Sequence, residues 1–438
     1  MENIRVGVIS LGCDKNRVDT EKMLAKIAEK HRLVGDIAKA DVAVINTCAF
    51  LRSAREEAVA EILSAAQEKK NGRLKKIIVT GCLPQKYSSE LFGNLTEADA
   101  FLGVSDYGKI NDVIDGLFDT DARINAVENP RCDDLIKRKL TTFGYAYLKI
   151  ADGCSNRCTY CLIPKIRGKY RSVPKDRLIR EVKDMGDVGE LILVAQDTAC
   201  YGEDLSPKTT LTQLIRELSA LSGVRGIRLL YCYPENVTDE LINEFKCNPK
   251  LIKYIDIPLQ HADDRILKLM NRKGTGEEYL RLIERLKREI PNIAIRSTFI
   301  AGFPTETEEN FNTLVEFIKK AKLFNAGFFK YSREEDTAAY NLPEQVKESV
   351  KTKRVKKLYS TQKKVVREIG RTLVGKIYKV FAEGFDKDGI CYFGRAYFNA
   401  PDIDGKIYFF SDKEVEKGKF YNVKIIQADG YDLIGERI

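Results

Sequence analysis

The sequence has no tryptophan and only two histidines, His31 and His261, among 438 residues. So little imidazole excludes a histidine-rich metal site and leaves few candidates for histidine acid–base catalysis. No uncharged apolar run is long enough to cross a bilayer, and the opening MENIRVGVISLG has no charged leader, long apolar stretch or small-residue cleavage site. A cytoplasmic chain without membrane contact is therefore expected. P-loop and HExxH strings are missing, as are internal repeats and low-complexity tracts. Hydrophobic residues make up 44% and charged residues 31%, the balance of a globular protein, and the length predicts two to four domains.

What the sequence does have is 11 cysteines. Without an export signal, such thiols read as metal ligands or catalysts before they read as disulfides. Cys154, Cys158 and Cys161 lie in GCSNRCTYC, directly after the β run AYLKI. Three thiolates on one tight loop can hold three irons of a cubane cluster, leaving the fourth iron open to a substrate. A closed zinc site needs a fourth ligand, and no further Cys or His lies nearby. The second triplet is dispersed: Cys13 follows GVISLG, Cys48 follows AVINT and Cys82 follows IIVTG, with gaps of 35 and 34 residues. One βαβ unit is about that long, so three parallel strands would deliver three thiols to the carboxyl edge of one sheet. Buried cysteines at strand ends are the plain alternative; a second cluster with a vacant iron is the better reading.

Residues 1–128 alternate short β runs with amphipathic stretches at 21–30 and 53–69, which predicts an N-terminal open parallel-sheet α/β domain. A charged connector spans 129–140. Over 140–369 six β runs appear, the first five each followed by a helix-like segment. This suggests a central partial (β/α)6 barrel, although an open doubly wound sheet fits the pattern nearly as well. Its end, 351–369, reads as a helix with Val355, Leu358, Tyr359, Gln362, Val365, Val366 and Ile369 on one face. Residues 370–438 turn to short strands and turns, as in a small antiparallel β-barrel.

The C-x3-C-x2-C loop after a barrel's first strand resembles that of the radical S-adenosylmethionine (SAM) superfamily. The resemblance implies SAM chelated to the open iron and cleaved reductively to a 5′-deoxyadenosyl radical, with the cofactor carrying the difficult chemistry. It also implies that Tyr160 packs beside the adenine, that Gln196 meets the amino-acid end of SAM, and that Gly302, in IAGFP, contacts the adenine. Gly302 reads equally as a turn residue. With the dispersed triplet and the C-terminal β domain added, the whole chain resembles the methylthiotransferases. That implies a TRAM-like last domain and two [4Fe-4S] clusters, the auxiliary one on Cys13, Cys48 and Cys82 holding the sulfur. SAM is then both radical source and methyl donor, and an electron donor such as ferredoxin or flavodoxin is required. The segment LGCDKNRVDTE, 11–21, resembles the LGC-x-KN-x-VD-x-E signature of the branch that modifies the β-carbon of one aspartate of ribosomal protein S-twelve. The tRNA-modifying branch more often has Gln-Met-Asn after that cysteine. Asp14 departs from the usual proline and Val173 from a common arginine; neither position is a cluster ligand. Two alternatives stay open: the same chemistry on a tRNA adenosine, and a non-enzymatic iron–sulfur RNA-binding or electron-transfer protein.

Net charge is +9, from 73 basic and 64 acidic residues. Residues 370–438 hold eleven of each sign, unlike a domain that grips tRNA phosphates. Lys351, Lys353, Arg354, Lys356, Lys357, Lys363, Lys364 and Arg367 share a stretch without acids, which reads either as a solvated helix face or as contact to ribosomal RNA. Arg167 and Arg171 read as partners for a SAM or substrate carboxylate, or as surface charges. His261 is either pocket-facing or structural. Cys132, Cys200, Cys232, Cys247 and Cys391 share no spacing and read as isolated thiols.

Overall fold

Val42–Thr47 is buried at every position, the mark of a strand inside a parallel sheet with both faces covered. It belongs to a six-stranded parallel sheet ordered Arg32–Val34, Arg5–Ser10, Val42–Thr47, Lys76–Gly81, Ala100–Leu102 and Ile124–Ala126. The computed structural model describes residues 4–120, 122–132 and 135–438. Residues 1–3 and Asp121 of the expected first domain lie outside the described residues, as do Asp133 and Asp134 of the expected connector. The three strands that precede Cys13, Cys48 and Cys82 are immediate neighbours, with Ser10 opposite Asn46 and Thr47 opposite Gly81. Parallel pairing therefore brings all three thiols to one sheet edge.

The central sheet runs Tyr145–Lys149, Gly189–Val194, Val224–Leu229, Leu251–Asp256, Ala294–Ala301 and Asn325–Lys330, each strand parallel to the next. A doubly wound sheet reverses its strand order at a switch point. This order never reverses, so the fold is the partial barrel. Helices Lys175–Met185, Leu211–Ser219, Asp239–Cys247, Gly276–Glu289 and Glu308–Ala321 alternate with the strands.

The last helix, Glu348–Leu373, extends beyond 351–369 at both ends and buries Leu358, Gln362, Val365 and Val366. Tyr359, expected on that face, is exposed, and Val355 and Ile369 are half-buried. Two of the eight cations assigned to an exposed stretch also need correction. Lys351 is buried, lays its stem against Gly302 and donates from Nζ to the Tyr331 carbonyl at 2.9 Å. Arg354 is buried against Glu306 at 2.8 Å. Both lie on the helix face that rests on the loop after Ala294–Ala301, where long stems cover apolar surface and the charged tip finds an oxygen.

Five strands, Ile377–Asp386, Cys391–Arg395, Ile407–Phe410, Asp432–Arg437 and Phe420–Asp429, close into the C-terminal barrel. Ile407–Phe410 and Asp432–Arg437 pair in parallel, and the other pairings are antiparallel. Glu190 of the central sheet fastens the barrel by pairing with Arg228 at 2.6 Å and with Arg395. At the other junction Arg138 leaves the connector and is fully buried between Glu21 of helix Asp14–Ala28 and Glu181 of helix Lys175–Met185, the latter at 3.0 Å. Thr141 N–H also donates to Glu21 at 2.8 Å.

Removing one member of a buried ion cluster strands the others, at a cost of about 3–5 kcal/mol. Arg138→Ala is therefore expected to lower unfolding free energy by that order in urea titration; a loss within the error of the fit would show that the clamp does not hold the domains.

Candidate active site at the domain junction

Two glycines let the thiol-bearing loops approach. Gly12 has φ +88, and a Cβ there would stand 2.7 Å from Cys48 Cβ. Gly81 has φ +94, and a Cβ there would stand 2.6 Å from the Thr47 carbonyl oxygen. Cys13 caps helix Asp14–Ala28 and Cys82 opens helix Cys82–Asn94, so two of the three sulfurs sit at helix N-termini, which favour negative charge. Asn16 ties the loops together. Its amide donates to the Leu11 carbonyl at 3.1 Å and the Thr47 carbonyl at 2.9 Å, and Cys82 Sγ lies 3.8 Å from its Oδ1. Cys13 is exposed, Cys48 half-buried and Cys82 buried. Burial raises the Cys48 thiol and pushes Cys82 up to about 12, with Arg167 opposing the rise and the other two thiols adding to it.

The second loop is pinned from several sides. Cys154 N–H donates to the Gly168 carbonyl at 3.0 Å and Cys161 N–H to the Cys158 carbonyl at 3.1 Å. Thr159 donates from Oγ1 to the Leu269 carbonyl at 2.8 Å. Burial pushes Cys154 up to about 11 and Cys161 up to about 12, and each feels the charge of Cys158. Among the described residues no three His, Cys, Asp or Glu side chains converge on a point that would hold a single metal ion. A cubane asks for something different, because its ligands spread over separate irons.

Arg167, a few residues after Cys161 in the chain, reaches Cys82 of the first set. It is 1% exposed and donates to Asp152 at 2.8 Å, Asn16 at 2.6 Å, Asp19 at 3.1 Å and Cys82 Sγ at 3.7 Å. Lys149 pairs with Asp19 and, at 3.0 Å, with Asp152. Burial opposes ionisation of Asp152, yet Arg167 and Lys149 together hold its carboxyl well below the usual range. Gln196 Nε2 completes the path by donating to Asp152 at 3.2 Å.

Three family models match the chain: the radical SAM superfamily over 148–318, uncharacterized protein family UPF0004 over 5–103 and the TRAM domain over 374–438. The chain is 46% identical over 440 residues to the ribosomal protein uS12 methylthiotransferase RimO of Clostridium botulinum (strain Eklund 17B / Type B), covering 99% of this chain and 98% of that one. The protein of the same name from Thermoanaerobacter sp. (strain X514) is 47% identical over 436 residues, covering 98% and 99%. This chain belongs to the RimO methylthiotransferase family. Among solved structures it is similar in fold to the radical SAM methyltransferase TsrM of Kitasatospora setae, with TM-score 0.56 and 12% identity over 86% of this chain and 80% of that one. The cobalamin-dependent SAM radical enzyme OxsB gives TM-score 0.54 and 14% identity over 85% and 62%.

The RimO-like segment 11–21 now has a structural account. Lys15 is buried with Nζ 3.4 Å from the Tyr231 ring centroid, Asn16 and Asp19 hold Arg167, and Glu21 holds Arg138. Arg167 is no surface charge: its guanidinium is buried and held by Asp152, Asn16 and Asp19. Arg171 donates to the carbonyls of Lys169 and Arg167, at 2.6 and 2.9 Å, and shapes the loop. His261 is fully buried, accepts from Asp263 N–H at 3.0 Å and lies 3.4 Å from Glu306, a structural role. Cys132 and Cys247 are exposed, and Cys232 and Cys391 are buried. Cys200 is less isolated, with Sγ 3.1 Å from Asp197 and 2.9 Å from Asn236 Nδ2.

Tyr160 packs with Met270, Phe303, Tyr331 and Leu342. Gln196 keeps its Oε1 buried without a hydrogen-bond partner among the described residues. Gly302, at φ +77, donates its N–H to Glu306 at 2.9 Å, and a Cβ there would strike Lys351 Cγ at 2.3 Å, so its glycine is already required by helix packing. Sequence reasoning missed Tyr233, whose hydroxyl is 2.7 Å from Cys158 Sγ. It also missed Arg272, buried with Nε and Nη1 lacking acceptors among the described residues. No local pattern marks either one. A groove of about 870 Å³ lined by Arg52, Val59, Leu63, Tyr87 and Arg333 includes none of the six thiols and is not part of this site.

Only the thiolate is nucleophilic, so a raised thiol pKa slows alkylation near neutral pH. In the metal-free chain at pH 8, iodoacetamide is expected to label exposed Cys13 well before Cys82, with the gap narrowing as pH rises toward about 12. Peptide mass spectrometry of a time course checks the order; equal rates would contradict the burial gradient.

Proposed function

We propose that this chain is a radical SAM methylthiotransferase that places a methylthio group on the β-carbon of an aspartate of ribosomal protein uS12. The observation that supports it most is identity of 46% over 99% of the chain to a protein named for that activity, in a chain that carries two three-thiol sets. Cys154, Cys158 and Cys161 would hold one [4Fe-4S] cluster, and Cys13, Cys48 and Cys82 the other. The donor chemistry fits, because three soft thiolates per set leave one iron open. SAM fits the orphaned atoms: Gln196 Oε1 accepts from an ammonium, Arg272 donates to a carboxylate, and Tyr160 offers a face to an adenine. The clusters and SAM, when bound, supply the reducing electron, the hydrogen-abstracting radical, the sulfur and the methyl group. What the protein's own residues do is orient and exclude water: the Arg167, Asp19, Lys149 and Asp152 cluster seals the space between the thiol sets, and Gly302 lets the last helix close over the loop.

In this reading 1–128 carries the auxiliary cluster, 140–369 the radical chemistry and 370–438 a TRAM-like domain. Ferredoxin or flavodoxin would deliver the electron, and the ribosomal target would place the enzyme in the cytoplasm. Among the described residues no helix is long and apolar enough to cross a membrane. With Lys351 and Arg354 removed, Lys353, Lys356, Lys357, Lys363, Lys364 and Arg367 are all exposed and form no ion pair among the described residues. Their spacing puts them on the outer side of one helix, which supports contact with ribosomal RNA beside the protein target.

Cys158→Ala is expected to abolish formation of 5′-deoxyadenosine from SAM under anaerobic reduction, whereas Cys48→Ala keeps SAM cleavage but loses sulfur insertion. Mass spectrometry of uS12 from co-expressing cells checks the product; unmodified uS12 beside methylthiolated tRNA would redirect the activity to the tRNA substrate. Changing Lys353, Lys356, Lys363 and Lys364 together to Glu is expected to weaken binding to small ribosomal subunits and flatten its salt dependence. Binding measured at several salt concentrations tests this, and an unaltered slope would leave the helix face merely solvated.

A further inference from the structure

Strand Val224–Leu229 leads into 230–233, which carries two tyrosines, Tyr231 and Tyr233. Tyr231 has φ +60, an uncommon conformation for a bulky residue. It is fixed by N–H donation to Asp256 at 3.2 Å and by Thr198 N–H donating to its carbonyl at 2.9 Å. Lys15 stands over its ring, and Cys13 is among the groups whose charge its hydroxyl feels. Two residues on, the Tyr233 hydroxyl is 2.7 Å from Cys158 Sγ. The Arg272 guanidinium lies 3.6 Å from the Tyr233 ring centroid and anchors itself by donating to the Pro258 carbonyl at 2.8 Å. The backbone turn at Tyr231 thus places one ring under Lys15 and the next tyrosine against Cys158.

A bare thiol and a phenol can each donate in such a contact. An iron-bound thiolate has no proton and can only accept, so loading a cluster resolves the pair to O–H···S, with the phenol as donor. Hydrogen bonds to cluster sulfurs help set the reduction potential, and they favour the reduced, more negative state. A guanidinium over the ring draws electron density from the phenol and strengthens it as a donor. Resting on the reading that Cys158 ligates a cluster, we propose that Tyr233 is a positioning residue that raises the potential of that cluster through Cys158, with Arg272 reinforcing it from the opposite side of the ring.

The test is an anaerobic redox titration of the full-length, iron-loaded protein followed by electron paramagnetic resonance, with the SAM-sensitive signal marking the Cys154–Cys158–Cys161 cluster. Tyr233→Phe removes one oxygen and is expected to leave about tenfold less reduced cluster at a fixed potential, or ~59 mV for a one-electron couple. Arg272→Lys, which keeps the charge but loses the planar stack, is expected to shift the midpoint less and in the same direction. An unchanged midpoint in Tyr233→Phe at full iron content overturns the inference alone. If Tyr233→Phe loses its iron, the Arg272→Lys midpoint decides, and no downward shift there overturns it. A wild-type protein with no SAM-sensitive cluster overturns both the inference and the reading beneath it.

Discussion

The guanidinium of Arg167 is the contact on which the arrangement of the site depends. Taking a cation out of water costs several kcal/mol unless charges and hydrogen bonds replace the water. Here the replacements come from both sides of a domain junction: Asp152 from the barrel, and Asn16, Asp19 and Cys82 from the N-terminal domain. Neither domain alone satisfies the side chain. The same guanidinium that holds the domains together opposes the burial that keeps Cys82 protonated.

Around that contact the other junctions repeat the same physics at different places. Arg138 between Glu21 and Glu181, with Lys22 beside Glu181, and Glu190 between Arg228 and Arg395, with Glu383 beside Arg395, are charge clusters whose members come from different segments. Such clusters add little over a hydrophobic contact of equal volume, but they reject wrong registers, because a displaced partner leaves a buried charge unpaired.

How much of this was legible depended on the range of the cause. The strand order was readable because gaps of 35 and 34 residues match one βαβ unit, so Cys13, Cys48 and Cys82 had to reach one edge. The C-x3-C-x2-C loop was readable because its three thiols are close in the sequence. The fates of Arg167, Lys351 and Arg354 were not: each is decided by oxygens outside the local window, and a run of cations does not reveal the Glu306 carboxylate that takes Arg354 or the Tyr331 carbonyl that takes Lys351. Tyr233 escaped for the same reason, since it meets Cys158 from 75 residues away. Gly302 was singled out for a ligand, yet the atom that excludes a side chain there belongs to Lys351.

The exposure gradient across the N-terminal thiols adds a direction to the site. Cys82 lies at the dry end, against Arg167 and Asn16, and Cys13 at the wet end, at the tip of a helix whose first turn still meets solvent. Electrostatic interactions strengthen as water is excluded, so Cys82 is held by fixed charges, while Cys13 is held mainly by its helix cap and by the close approach that Gly12 permits. The buried guanidinium of Arg167 meets Cys82 alone among the three, and Cys13 is left to backbone geometry.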